Sequence, residues 1–525
     1  MEYKFNWTYS LIDDLISDGG IFCDGDWVES KDQDPQGEVR LIQLADIGDG
    51  VFKDKSHKFL TLKTSKDLNC TYLEKNDILI ARLPDPLGRA CLVPFDRNKR
   101  YVTAVDVCIV RPNTNYILNK YLLYSINSPI FRVEVDKYKS GTTRKRISRK
   151  NLSKIEIPIP PLPEQRAIVA KIEKLLSDLD NGIANLKKAQ KQLKIYRQAV
   201  LKKAFEGELT RKWRAEQTDL PSAEELLLQI KEEREKHYQK QLDEWEKAVK
   251  GWEDKGKAGK KPSRPKKPKE LPPLSEAELK ELPELPGGGG WSRLGQIIEE
   301  PKYGTSKKCS YDVTGKAVLR IPNIGNGIID KEDLKFASFS DEENEIYKLK
   351  GGDILTIRSN GSIALVGKCA LIHKQDEEFL YAGYLIRLRP LSIIDSKYLL
   401  NCLSSICLRN QIQSKAKSTS GVNNINSGEI KSLIMPICSI QEQHQIVCEI
   451  ETRLSVCDKM EATIAESLQK SEALRQSILK KAFEGELLSE KELEEARNAP
   501  DWEPADKLLE RINAEKEKTE TKKSF

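Results

Sequence analysis

The nonapeptide Leu201-Lys202-Lys203-Ala204-Phe205-Glu206-Gly207-Glu208-Leu209 occurs a second time, unchanged, as Leu479 to Leu487, 278 residues later. The same offset pairs Glu164-Gln165 with Glu442-Gln443, Ile168-Val169 with Ile446-Val447, Ile172-Glu173 with Ile450-Glu451, Asp180 with Asp458, and Arg197-Gln198 with Arg475-Gln476. An ungapped internal repeat of this kind restricts the fold to one built twice from a single plan.

The repeat extends into both flanks, with the offset drifting as loop insertions produce. Upstream, Ile47-Gly48-Asp49-Gly50 matches Ile324-Gly325-Asn326-Gly327, and Asp77-Ile78-Leu79 with Arg82 matches Asp353-Ile354-Leu355 with Arg358. Lys120-Tyr121-Leu122-Leu123 matches Lys397-Tyr398-Leu399-Leu400. Downstream, Leu226-Leu227 and Ile230 match Leu508-Leu509 and Ile512. The pattern is two globular modules, each followed by a long segment.

After the proline-rich stretch Pro158 to Pro163, and again after Ser439-Ile440-Gln441-Glu442, the pattern turns helical. Prolines suit a helix start, acidic residues suit its positive end, and Ser439 with Glu442 reads as a capping box. Ile172, Leu179, Leu186, Leu193 and Val200 recur every seven residues, matched by Ile450, Cys457, Ile464, Ser471 and Ile478. Such a stripe keeps one face against a partner helix. Roughly 40 helical residues at ~1.5 Å each give a rod on the order of 60 Å long. One stripe per half predicts that the two helices pair with each other. An antiparallel pairing puts a pseudo-two-fold axis through the middle of the rod, with a module at either end. Two readers so placed suit two short DNA sites separated by an unread spacer.

The repeated nonapeptide closes each helix. Its lysines suit the negative helix end, and Gly207 and Gly485 suit termination. Capping explains a lysine and a glycine but not nine identical residues beside divergent modules. Two readings account for the identity: a partner subunit bound twice, or identical packing within the chain. The first makes Phe205, Glu206, Leu209, Phe483, Glu484 and Leu487 candidate docking residues, with the two phenylalanines as apolar anchors.

Each module mixes short β-like runs, such as Val39 to Ile42, Ile78 to Ile80 and Val105 to Val110, with helical stretches such as Lys120 to Asn127. This predicts an α+β fold. The expected organisation is a first module over 1–160, a long helix over 161–210, and a charged Pro/Gly-rich linker over 211–290. A second module over 291–436, a second long helix over 437–488 and a charged helical tail over 489–525 complete it.

Net charge is only +6, so an argument for a nucleic-acid partner rests on local charge. The segment Lys137 to Lys150 has seven basic residues in fourteen and no acid. Its Lys137, Lys139, Ser140, Thr142, Thr143, Arg144, Lys145, Arg146 and Arg149 are candidate DNA contacts, because hydroxyls and a glycine among cations let side chains and backbone approach phosphates together. The second module has a weaker counterpart at the same point before its long helix: Lys415, Lys417, Ser418, Thr419, Ser420, Asn423 and Asn424. Arg82, Arg89 and Arg358 are further candidates for base or phosphate contact.

Catalytic signatures are missing. His57, His237, His373 and His444 are scattered, and no Cys/His cluster has zinc spacing. Gly361 to Lys368 fails as a phosphate loop, with one residue too many between its glycines and Cys369 where Ser or Thr should follow. The eleven cysteines, none in a CxxC pair, read as reduced thiols of a cytosolic protein. No apolar run approaches the ~18 residues of a membrane span. In the linker, Ala223 to Lys255 reads as a charged helix bearing Trp245 and Trp252, and Lys257 to Lys269 as an extended or disordered basic segment. The stretch from His237 to Pro286 has no counterpart in the second half.

The order of module, long helix, module, long helix resembles the specificity subunit of type I restriction-modification systems. The residues carrying the resemblance are Ile157-Pro158-Ile159-Pro160-Pro161-Leu162-Pro163-Glu164-Gln165-Arg166 with Ile168-Val169, Leu201 to Leu209, their second-half copies, Gly141 to Ile147, and Trp291 to Leu294. The resemblance implies two target-recognition domains, each reading half of a split, asymmetric double-stranded DNA site. It implies paired helices that act as ruler and as dock for two methyltransferase subunits, with two motor-nuclease subunits joining for cleavage. S-adenosylmethionine, ATP and Mg are then expected on the partners, with no cofactor or metal on this chain, no catalytic residue, no membrane, and a prokaryotic cytoplasmic location. Two other readings compete: the recognition fragment of a fused methyltransferase-nuclease, and a coiled-coil scaffold without a DNA role.

Overall fold

The computed structural model describes residues 7–16, 20–96, 100–141, 144–257, 259, 261–265, 267, 271–419 and 421–523. The chain divides into two compact units, one formed by Met1–Lys188 with Ile464–Phe525 and the other by Ala189–Thr463. Both long helices are continuous, Leu162–Phe205 and Ile440–Phe483, 44 residues each. Each unit therefore holds one module, the start of that module's own long helix, and the end of the other long helix.

In the first unit a four-stranded antiparallel sheet is ordered Ile21–Asp24, Val107–Arg111, Ile78–Ala81, Ala90–Leu92. A three-stranded sheet places Val39–Ile42 between Lys58–Leu60, antiparallel, and Tyr101–Thr103, parallel. The second unit repeats both. Its four strands run Lys302–Tyr303, Leu385–Leu388, Ile354–Ile357, Cys369–Leu371, and Lys316–Leu319 lies between Lys335–Ala337 and Leu380–Tyr381. The α+β expectation holds, with Ile78–Ala81 and Ile354–Ile357 buried throughout as central strands should be. An entry strand and an exit strand close each module: Thr8–Leu11 pairs antiparallel with Glu156–Ile159, and Gly290–Arg293 with Ile434–Ile437.

A buried glutamine joins each module to its helix. Gln165 Oε1 accepts from the Leu118 N–H (2.9 Å), and its Nε2 donates to the Tyr116 and Pro160 carbonyls (3.0 and 2.9 Å). Gln443 does the same with the Asp395 N–H (2.8 Å) and the Ile393 and Cys438 carbonyls (3.1 and 2.9 Å). An amide supplies both donors and acceptor there, which neither an apolar nor a charged residue does. The neighbouring Glu442 departs from its expected role. Ser439 Oγ does accept from the Glu442 N–H, at 3.2 Å. The Glu442 carboxylate, however, is taken by Thr210 Oγ1 (2.7 Å) and Arg214 Nε (3.0 Å), so only half of a capping box forms.

Within each unit the long helices pack antiparallel. In the first, Ile168 and Ile172 share a core with Ile478, Leu479, Ala482 and Phe483, and Arg475 pairs with Asp180. In the second, Val200, Leu201 and Ala204 share a core with Ile446, Val447 and Ile450, and Arg197 pairs with Asp458. The ion pairs are the same pair with the helices exchanged, since Asp180 corresponds to Asp458 and Arg197 to Arg475 in the repeat. Along the heptad stripe Ile172, Leu193, Val200, Ile450, Cys457, Ile464 and Ile478 are buried, while Leu179, Leu186 and Ser471 are half-buried.

The second helix after each nonapeptide completes the plan. Leu226 and Ile230 of Ala223–Asp254 join the second unit's core, and Leu508 and Ile512 of Ala505–Lys523 join the first unit's. The basic linker segment, expected to be extended or disordered, has no helix or strand at its described residues 261–265, but these are tied to the preceding helix. Trp245 Nε1 donates to the Pro262 carbonyl (3.0 Å) and Trp252 Nε1 to Gly259 (3.1 Å). Arg264 and Lys261 lie over the two indole rings at 5.7 and 6.0 Å. The tryptophans give this stretch something to fold against.

Candidate nucleic-acid interface

The basic segment of the first module is positioned by helix Pro129–Lys137 on one side and by the sheet on the other. Ser140 and Arg146 exchange two backbone hydrogen bonds of 2.9 Å, closing a tight loop. Gly141 makes the closure possible: its φ is +93°, and a Cβ there would stand 2.5 Å from the Arg144 carbonyl oxygen. The buried Ile147 then donates its N–H to the Arg82 carbonyl at 3.1 Å, anchoring the loop at the end of strand Ile78–Ala81.

The second module builds the same feature. Lys417–Thr419 pairs with Val422–Asn424, which also pairs with Ser359–Asn360. The buried Ile425 donates its N–H to the Arg358 carbonyl at 3.0 Å, as Ile147 does to Arg82. What recurs is therefore the anchor on the residue after the central strand, while the loops close differently, by a single bridge in the first module and by a three-stranded sheet in the second. Thr142, Thr143 and Ser420, and the side chain of Thr419, lie outside the described residues.

The charges of the two loops are held differently. In the first module Lys137 pairs with Glu134 (2.6 Å), Lys139 with Asp136 (2.8 Å), Lys145 with Asp85 (3.4 Å) and Arg149 with Asp24 (3.6 Å). Arg144 and Arg146 are exposed and have no ion pair among the described residues. A cleft of about 590 Å³ beside the loop is lined by Asp49, Asp85, Arg132, Asp136, Lys139 and Lys145, with both signs mixed. In the second module Lys415 and Lys417 have no acidic partner among the described residues, while Asn423 donates to the Gly361 carbonyl at 3.0 Å.

Three sequence candidates have other tasks. Arg89 is enclosed by backbone carbonyls: Nε donates to Ile47 (3.0 Å), Nη1 to Pro84 (2.7 Å) and Nη2 to Leu44 (3.3 Å). Burial pushes its pKa down, and its donors are spent inside the module. Arg82 is also turned inward, bonded to the Val105 carbonyl and 3.4 Å from Asp24. Asn424 accepts from Arg358 Nε at 3.1 Å.

Of the candidate docking residues, the four apolar ones are taken up within the chain. Phe483 is buried edge-on against Tyr121 (5.3 Å between centroids), and Phe205 half-buried against Tyr398 (5.4 Å). Leu209 and Leu487 pack at the margins of the same two cores. The nonapeptide's apolar half thus repeats because each copy fills an equivalent site in its unit, beside a tyrosine that bonds the Pro158 or Pro436 carbonyl. Glu206 and Glu484 each stand 3.7 Å from the lysine one turn back, Lys202 and Lys480. Gly207 and Gly485 terminate both helices at positive φ, +74° and +79°.

One pair of supporting residues escaped the sequence reading. Arg132 donates to the Leu87 carbonyl and to Asp49 (3.0 Å). Arg409 donates to the Val366 and Ala364 carbonyls (2.7 and 2.8 Å). Burial lowers both pKa values. Each holds, from the helix beneath it, the loop beyond the central strand, residues 83–87 or 361–366. Their signal was the shared repeat position, one residue after the buried Phe131 or Leu408.

Comparison with known proteins gives this arrangement a family. The family described as the type I restriction modification DNA specificity domain matches residues 20–194 and again 290–470. The EcoKI specificity subunit of a type I restriction enzyme from Escherichia coli (strain K12) is 28% identical over 417 residues, covering 79% of this chain and 75% of the relative. The StySPI specificity subunit from Salmonella potsdam is 26% identical over 410 residues, covering 78% and 73%. A solved chain from work on complex assembly and conformational transition of the type I R-M system covers 93% of this chain and 100% of its own length, with a TM-score of 0.62. At 17% identity that last likeness concerns the fold alone. A doubled domain, two long helices packed antiparallel within each unit, and a basic loop pinned alike in both modules converge with these matches: the chain belongs to the type I restriction-modification specificity-subunit family, whose part is DNA recognition rather than catalysis.

Proposed function

We propose that the chain reads a bipartite, asymmetric site in double-stranded DNA, one half with each module, and serves as the scaffold of a complex with two methyltransferase and two motor-nuclease subunits. The observation carrying this reading is the matched anchoring of the two loops, Ile147 on Arg82 and Ile425 on Arg358, in modules whose loop sequences differ. Equivalent anchorage with unlike side chains suits two readers that approach DNA alike and recognise different bases. Arg144 and Arg146 in one loop, and Lys415 and Lys417 in the other, supply phosphate contact, with Lys145 beside them held by Asp85.

Two copies of one partner fit the exposed half of the nonapeptide. Lys202, Lys203 and Glu208, and their copies Lys480, Lys481 and Glu486, face solvent at both helix ends. On this reading S-adenosylmethionine, ATP and Mg belong to the partner subunits, and the assembly works in the prokaryotic cytoplasm. Replacing Arg144, Lys145 and Arg146 by Ala tests the DNA role. Weaker binding of the full chain, with a shallower dependence on salt, is expected. Unchanged affinity and slope would favour a scaffold without a DNA role.

A further inference from the structure

The second module holds an arginine whose recognition edge is unspent. Arg358 follows strand Ile354–Ile357, and its backbone is fixed on both sides. Its N–H donates to the Tyr384 carbonyl at 2.8 Å, and its own carbonyl accepts from Ile425 at 3.0 Å. The side chain is fixed as well. Nε donates to Asn424 Oδ1 at 3.1 Å, and the guanidinium lies 4.6 Å from the centroid of the Tyr303 ring. Tyr303 is itself held, its hydroxyl oxygen accepting from the Ser427 N–H at 2.9 Å.

Among the described residues neither Nη of Arg358 makes a hydrogen bond or an ion pair. The group is half-buried, stacked on one face and bonded at Nε, and it presents the two remaining nitrogens as a fixed fork. A planar, pre-ordered fork of two N–H donors matches O6 and N7 of guanine in the major groove. A flexible phosphate contact needs no such fixing. In the first module the corresponding Arg82 differs: its Nη2 is bonded to the Val105 carbonyl and its Nε stands 3.4 Å from Asp24, so it does not present two unspent Nη nitrogens.

We infer that Arg358 reads a guanine in the half-site of the second module, that Asn424 and Tyr303 act as its positioning residues, and that the first module does not use the equivalent contact. The inference rests on the reading of this module as a DNA reader and names one of its specificity determinants.

Selection from duplexes randomised across both half-sites tests it, using the full chain assembled with its methyltransferase partners. Wild type, Arg358→Ala and Asn424→Ala are compared position by position. In Arg358→Ala, preference for one G·C pair in the second module's block falls by about 10–100-fold. Other positions and the whole first block stay unchanged, the latter confirming that the variant is folded and assembled. Asn424→Ala shows a smaller loss at the same pair and carries the test if Arg358→Ala does not assemble. A uniform loss of affinity over all sequences with a shallower salt slope would make Arg358 a phosphate contact and overturn the inference. So would a second block without guanine. Selection of a single block by the wild type would instead overturn the bipartite reading itself.

Discussion

The ring of Phe205, at the end of the first long helix, meets Tyr398 edge-on with centroids 5.4 Å apart and planes at 75°. Phe483 repeats the contact on Tyr121 at 5.3 Å. Truncating either ring leaves a cavity in a core that joins a module to the other module's helix. Phe483→Ala should cost about 3–5 kcal/mol, and Phe205→Ala somewhat less because its ring is half-buried. Denaturant unfolding of the full chain checks both, and a loss of partner binding at unchanged stability would contradict the packing role.

The exposed lysines beside those rings separate docking from folding. Lys203→Gln with Lys481→Gln removes two solvent-facing charges, one of them 3.3 Å from Glu208, and should cost no more than about 1 kcal/mol in all. Co-purification of the methyltransferase partner should fall in the same variant. Full retention of the partner would remove these positions from the docking surface.

Gln165 and Gln443 each satisfy three buried backbone groups. Gln443→Leu keeps the bulk but leaves the Asp395 N–H and the Ile393 and Cys438 carbonyls unpaired, at about 1–3 kcal/mol for each group that finds no water. Hydrogen exchange at the Asp395 amide should rise with the loss of stability. Unaltered protection would show that the glutamine is dispensable.

If the first basic loop meets phosphates as proposed, its ion pairs limit how many cations it offers. Asp85→Asn releases Lys145, now 3.4 Å from that carboxylate. One freed cation meeting one phosphate should steepen the slope of log K against log salt by about 0.9. A slope equal to that of wild type would place Lys145 away from the DNA.

A depressed carboxylate gives a pH signature in the first unit. Glu492 is lowered to about 2, chiefly by its hydrogen bond from Lys171 and then by the Ser489 N–H that it caps. A group lowered in the folded state contributes stability above its unfolded pKa and loses it as pH falls through the folded value. The full contribution is therefore present above about pH 4.5 and fades toward pH 2. Glu492→Gln should flatten the acid limb of the stability curve in that window, and an unchanged limb would contradict the assignment.

Much of this was legible in the residues. The offset of 278 and the heptad stripe announced two helices, and both span 44 residues. The basic loop was visible as charge, and its counterpart as a shared position before a helix. What sequence could not show was where donors go. Arg89 and Arg358 look alike as isolated arginines. One is enclosed by carbonyls and the other stacked on Tyr303 with its fork open, because loops distant in sequence close around them. The nonapeptide leaves two readings open for a related reason, and only the structure shows that its phenylalanines take the second, packed on Tyr121 and Tyr398 within the chain.

The central claim is that two unlike modules read two separate stretches of one duplex. Mapping adenine methylation in DNA from cells that carry this chain with its methyltransferase partners tests it most directly. The account predicts methylation within a motif of two different short blocks, separated by a spacer of fixed length and free sequence. A single uninterrupted motif, or two identical blocks in palindromic relation, would contradict it.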